Sequence, residues 1–271
     1  MNRGLFAKTF RETWPTALLV GLGMLAFKTL LAFIAPQIAG QMGASMLQMD
    51  FVRNILKALL GSEIGDVIDP ASFGAFAWVH PVILALLWAQ EITFCTRLPA
   101  GEVDRGTVDV LLGLPVSRWQ LYVCDSLMWL FWGAAIIAVG WVGDTLGGWA
   151  AEEGFRPPAS KVVPIVVNLY CVYVAVGGLA WLVSALSDRR GRAIAVVFGI
   201  VVGSFALSFL AQFWGPARSI SWIGLLHYYQ PLGILQSESW PWRNMAVLTV
   251  FGGVCWVIGG LVFARRDIRT V

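Results

Sequence analysis

The sequence predicts an all-α integral membrane protein with six transmembrane helices and an N-terminal amphipathic interfacial helix. Three observations predict it. Apolar residues fill 58% of the 271 positions and charged residues only 13%, with a mean hydropathy of +0.73. A soluble domain carries about 25% charged residues. The apolar residues gather in runs close to the ~20 residues that cross ~30 Å of hydrocarbon. The arginines cluster between those runs rather than spreading evenly.

Six runs qualify, at 14–35, 72–94, 122–146, 161–186, 191–214 and 244–264, within a single domain 1–271. In lipid each backbone amide needs a partner in its own segment, so the runs are helices, and none alternates as a barrel strand would. One set of ends carries Arg3, Lys8, Arg11, Arg97, Arg105, Arg118, Arg189, Arg190, Arg192, Arg265, Arg266 and Arg269. The other carries Arg53, Lys57, Arg156, Lys161, Arg218 and Arg243. Positive residues stay inside, so both termini are expected in the cytoplasm and the chain in the inner (plasma) membrane, in contact with lipid. An even number of spans agrees.

The elements follow in order. Residues 1–13 place Phe6, Phe10 and Trp14 four apart, with Arg3, Lys8, Arg11 and Glu12 on other faces, which suits a helix lying among the headgroups. The first run lacks a small-x-small cleavage site and is expected to be a retained anchor. Lys28 lies well inside it. An intramembrane charge is costly, so Lys28 either snorkels or pairs locally, or it serves a transport path. The outer loop 36–71 has Met42, Met46, Met49, Phe51, Ile55, Leu56, Leu59 and Leu60 at near-helical spacing, with Gly61 as a stop. It is acidic through Asp50, Glu63, Asp66 and Asp69. A membrane-resting helix explains this better than a calcium or copper site. Span two contains His80-Pro81 and ends near Glu91; span three begins near Asp125. Both carboxylates are expected to be solvated or paired with nearby arginines. The last outer loop, 215–243, is rich in Trp and Tyr, as span ends are.

Several functions are disfavoured. A net charge of +3 gives no reason to expect nucleic acid. Cys95, Cys124, Cys171 and Cys255 lie in or beside apolar runs with no C-x-x-C pair, and read as small buried residues rather than disulfides or metal ligands. The histidines are His80 and His227, and neither sits beside a convincing nucleophile motif. Asp144 lacks a second intramembrane aspartate for a dyad. No catalytic residue or metal site is expected, and no P-loop is present to cradle a nucleotide. Gly177-Gly178 and Gly259-Gly260 fit close helix packing.

The loop 95–121 carries most of the information. Thr107 suits a helix cap, with Asp109 favourable at the positive N-terminus. Val108, Leu111 and Leu112 form an apolar face, Gly113 suits a stop, and Pro115 suits the first turn of the next helix. Two leucines held between charges on a cytoplasmic surface suit a groove on a partner protein.

This loop resembles that of the type-2 ATP-binding-cassette (ABC) transporter permeases, which reads Glu-x-x-x-Gly-Thr-x-x-x-Leu-Leu-x-x-Pro-Val-Ser-Arg. Glu102, Gly106, Thr107, Leu111, Leu112, Pro115, Val116, Ser117 and Arg118 match it in register. His227-Tyr228-Tyr229-Gln230-Pro231 and Phe263-Ala264-Arg265-Arg266-Asp267 are similar to family features around the last span. The chain departs at Cys124-Asp125, where many relatives have Gly-Lys, and at Gln230, often acidic in relatives. The resemblance implies a coupling helix within Glu102–Arg118, including Arg105, that contacts an ABC ATPase (nucleotide-binding) subunit. It implies a second permease chain, and ATP and magnesium bound by the partner subunit with no cofactor in this chain. Export of an unknown substrate is the expected activity. An ATP-independent carrier, or an assembly scaffold, is the alternative.

Overall fold

The computed structural model describes residues 3–41, 70–107, 113, 116–149, 158–237 and 239–266. These residues form helices and turns without a strand. Six helical stretches among them are long and apolar enough to cross a membrane, so the chain is a multi-pass membrane protein.

Helix α1 spans Arg3–Gln41 without interruption. No break separates residues 3–13 from the predicted span 14–35. Its inward face is Leu5, Thr9, Thr13, Ala17, Met24 and Lys28, all buried. The predicted Phe6–Phe10–Trp14 stripe lies beside that face, with Phe10 43% and Trp14 44% exposed. In lipid the apolar side of a helix can face outward, and hydroxyl-bearing residues turn inward to find partners. The outer-loop helix expected within 36–71 lies almost wholly outside the described residues.

The second predicted span is two helices, α2 (Pro70–Val79) and α3 (Pro81–Cys95). Pro81 disfavours the helical region for the residue before it, so His80 is extended at ψ 129°. The His80 Nδ1 then accepts the Val82 N–H at 3.3 Å, capping α3. Structural capping accounts for this histidine.

After Cys95 the chain makes a kinked π-type turn at Arg97–Gly101 and one helical turn, α4, at Glu102–Asp104. Helices α5 (Arg118–Trp149), α6 (Ala159–Leu186) and α7 (Arg190–Leu210) follow. The segment expected as an outer loop is folded into α8 (Gly215–Ile220), two 3₁₀ turns (Ser221–Ile223 and Leu225–Tyr228) and α9 (Pro231–Ser237). Helix α10 is Trp242–Arg265.

The predicted glycine packing is present. A Cβ on Gly178 of α6 would lie 2.1 Å from the carbonyl oxygen of Gly252 of α10, so only hydrogen side chains permit this crossing. Gly259 of α10 faces the Leu182 backbone in the same seam. On the other side, Gly143 and Gly147 of α5 meet the Leu25 and Thr29 carbonyls of α1. Close backbone approach gives dispersion contacts that lipid cannot match. Helix α6 sits deepest, with Leu169, Val172, Tyr173, Ala180 and Trp181 all fully buried.

Candidate functional site

The arginine-rich ends of the helices gather at one end of the bundle, and the loop singled out by sequence is anchored there. Gly106 has φ +67°, a conformation glycine adopts without steric cost. It closes α4: the Gly106 N–H donates to Val103 O and the Thr107 N–H to Glu102 O, both at 3.1 Å. This is the Schellman pattern. The Thr107 hydroxyl donates to the Glu102 carboxylate. Thr107 was expected to cap a following helix, whose residues 108–112 lie outside the described residues; its hydroxyl secures the preceding turn. The motif residues Glu102, Gly106 and Thr107 therefore form one self-bonded corner. Arg105 is exposed beside it.

Leu111, Leu112 and Pro115 lie outside the described residues. Past them, the Ser117 N–H donates to Gln120 Oε1 and the Gln120 N–H to Ser117 Oγ, both at 3.1 Å. This reciprocal capping box starts α5 at Arg118, so Pro115 precedes the cap rather than occupying the helix's first turn. The Ser-x-x-Gln spacing was the available signal in the sequence. Val116 is half-buried against the core.

The turn is strapped to the spans. Ser184 of α6 is fully buried; its Oγ accepts the Ala100 N–H at 3.2 Å and donates to Leu98 O at 3.1 Å. Arg190 of α7 donates to Thr93 O at 2.9 Å. Arg97 donates to Asp125 of α5 at 2.6 Å and also pairs with Glu12 of α1. Asp125 in turn accepts the Thr9 hydroxyl at 2.5 Å. Asp125 is thus the junction between α1, the turn and α5. Arg118 donates to the carbonyls of Phe263 and Arg266 at the end of α10, and Arg266 pairs with Asp188. Four of the predicted interior-side arginines (Arg97, Arg118, Arg190 and Arg266) therefore fasten helix ends to one another.

Two intramembrane charges behave differently. Lys28 Nζ lies 2.9 Å from Asp144 Oδ1 and 3.9 Å from the Trp78 ring centroid, with no exposed side-chain surface. Local pairing accounts for its burial. The carboxylate that lacked an aspartate partner has a cation partner instead. Glu91 was expected to be solvated or paired with an arginine; it is neither. It is fully buried, with Oε1 accepting the Trp129 indole N–H at 3.3 Å and Oε2 without a hydrogen-bond partner. Its position on α3 points into the packed interface with α5 and α6, which no local sequence signal specifies. The four cysteines are free; Cys171 is half-buried and the others buried.

Compared with known proteins, the chain matches no family model and no curated sequence.

Proposed function

We propose that this chain is the membrane-spanning permease subunit of an ABC transporter of the type-2 class, working as an exporter. The observation that carries the reading is the run of motif residues from Glu102 to Arg118, in register within a short polar loop of a six-span membrane protein. The arrangement around that loop is consistent with coupling. A partner ATPase would bind ATP and magnesium and grip the loop through Leu111 and Leu112. Displacement of the loop would pull on Ser184 of α6, Arg190 of α7 and the Asp125 junction of α5 together. A rigid corner serves this better than a flexible one, because slack would dissipate the movement. Two such chains would form the path between them.

The test is co-purification of the full-length chain from its native membrane, as wild type and as Leu111→Asp/Leu112→Asp. The expected result is a stoichiometric P-loop ATPase with the wild type, lost in the double variant while helix content and melting temperature stay unchanged. A wild type that brings down no ATPase under gentle solubilisation overturns the reading.

The buried Glu91 favours one second reading, an ATP-independent carrier driven by an ion gradient. Under that reading Glu91→Gln abolishes gradient-driven transport and the leucine variants have little effect.

A further inference from the structure

The chain that follows α7 turns back toward the middle of the bundle, and three bonds place it there. The Leu226 N–H donates to Ser204 Oγ of α7 at 3.3 Å. The fully buried Asn168 of α6 donates through its amide to Tyr228 O at 3.0 Å. The Tyr229 hydroxyl donates to Trp78 O of α2 at 3.1 Å. Gly224 lies on the same seam, where a Cβ would stand 3.2 Å from Ser204 Oγ. Helices α6 and α7 are joined at the arginine end of the bundle through residues 187–189. At ~1.5 Å per residue, Ser204 lies about 21 Å and Asn168 about 27 Å from that end, less than the ~30 Å of hydrocarbon a span crosses. Helix α7 climbs about 9 Å past Ser204 before it ends at Leu210. Residues 221–229 therefore return to membrane depth.

Backbone outside a long helix is tolerated at that depth only where protein buries it or water reaches it. Here the segment has both. Ser221, Gly224, Leu225, Leu226 and Tyr229 are buried. Beside them, between the end of α7 and the start of α3, lies a cavity of about 190 Å³. Its wall includes the half-buried Gln212, His227 and Gln230 and the exposed Arg218. Lipid in this space would leave those polar groups without hydrogen bonds. One water needs only ~10–15 Å³ of such space.

The other side of the segment is apolar. Trp222 and Ile223 are 60% and 62% exposed, and they continue the exposed end of α7 at Leu210 and Phe213. Residues 212–241 hold two charged side chains, Arg218 and Glu238. A surface facing water carries about 25–35% charged residues, so this composition fits a lipid-covered face. We propose that the cavity is a water-filled vestibule entering the bilayer from the end opposite the arginine cluster, walled by a re-entrant segment whose far side rests in lipid. It admits water and small hydrophilic solutes. The proposal stands apart from any ATPase partnership.

The test is spin labelling of the full-length chain in lipid nanodiscs, where both faces of the membrane meet the medium and orientation does not enter. A nitroxide is attached at Gln212→Cys, Gln230→Cys, Ile223→Cys or Gly199→Cys, in a Cys171→Ala background because the other three cysteines are buried. Gly199, exposed in the middle of α7, is the lipid reference. Collisions are measured with oxygen, which concentrates in lipid, and with the neutral nickel–ethylenediaminediacetate complex, which stays in water. The nickel-to-oxygen ratio at Gln212 and Gln230 should exceed that at Ile223 and Gly199 about fivefold. Labels at Gln212 and Gln230 that match Gly199 mean lipid in the cavity, and labels there screened from both reagents mean a closed one; either overturns the proposal. It is equally overturned by an Ile223 label rich in nickel collisions, which puts the segment in water, or screened from both reagents, which puts a second protein surface over it. Each labelled chain is required to keep the melting temperature of its background, and if Gln230→Cys does not, Gln212→Cys decides.

Discussion

Single residues here do work that their chemistry dictates once a partner is known. Lys28 and Asp144 are a buried pair, with the ammonium over the Trp78 ring. Removing one partner of such a pair costs about 3 kcal/mol, because a buried charge is left uncompensated, whereas removing both costs far less. Asp144→Ala should therefore destabilise the chain strongly and Lys28→Met/Asp144→Ala should recover most of the loss, as read by equilibrium unfolding in mixed micelles. His227 offers a pH test. Burial, and then the Arg243 charge, hold its imidazole below the ordinary value. The unfolded chain then binds more protons than the folded one below about pH 6.5. The contribution of His227 is complete above that pH and is lost as the pH falls. Melting temperature should drop more between pH 7.5 and 5 for the wild type than for His227→Gln. An equal drop in both would contradict this assignment.

Whole helices are positioned by what their glycines permit. The α6–α10 crossing at Gly178 and Gly252 has no room for a side chain. Gly178→Leu should force the helices apart and cost about 3 kcal/mol or more, as overpacking does. Gly199 on α7 meets nothing within 4 Å. Gly199→Ala should raise stability by about 0.5 kcal/mol, through helix propensity alone. Thermal unfolding of the two variants side by side checks both signs. At this scale the sequence was most legible: predicted spans such as 161–186 and 244–264 differ by only two residues or fewer from Ala159–Leu186 and Trp242–Arg265. Hydropathy reads span length directly because lipid thickness sets it. Pro81 was a legible signal for the split of span two, whereas the capping histidine and the folded segment after α7 were not legible. Each depends on a backbone bond or a packing surface that composition does not encode.

The molecule as a whole is polarised. Arg97, Arg118, Arg190 and Arg266 tie helix ends together at one end, and aromatic residues surround a cavity at the other. Six spans predict that both termini lie on one face, and the excess of arginine predicts that face to be cytoplasmic. Green fluorescent protein fused at either terminus should fluoresce, and alkaline phosphatase fused there should stay inactive. Insertion of the phosphatase after Pro216 should make it active. The reverse pattern would invert the orientation and remove the loop 95–121 from reach of any cytoplasmic ATPase.

The sequence by itself determined the membrane class, the number of apolar spans, and the loop where a partner is expected. Those properties are local, since each run meets the bilayer on its own. Only the tertiary structure decided that Lys28 meets Asp144, that Asp125 joins α1 to the turn through Arg97, that Glu91 is sealed among helices, and that Gln212 and Gln230 share a cavity. The partners in those pairs are 18 to 116 residues apart, or stand on helices whose facing is set by glycine contacts elsewhere. A polar group buried in lipid must find a partner, but which partner depends on how the helices rotate against one another.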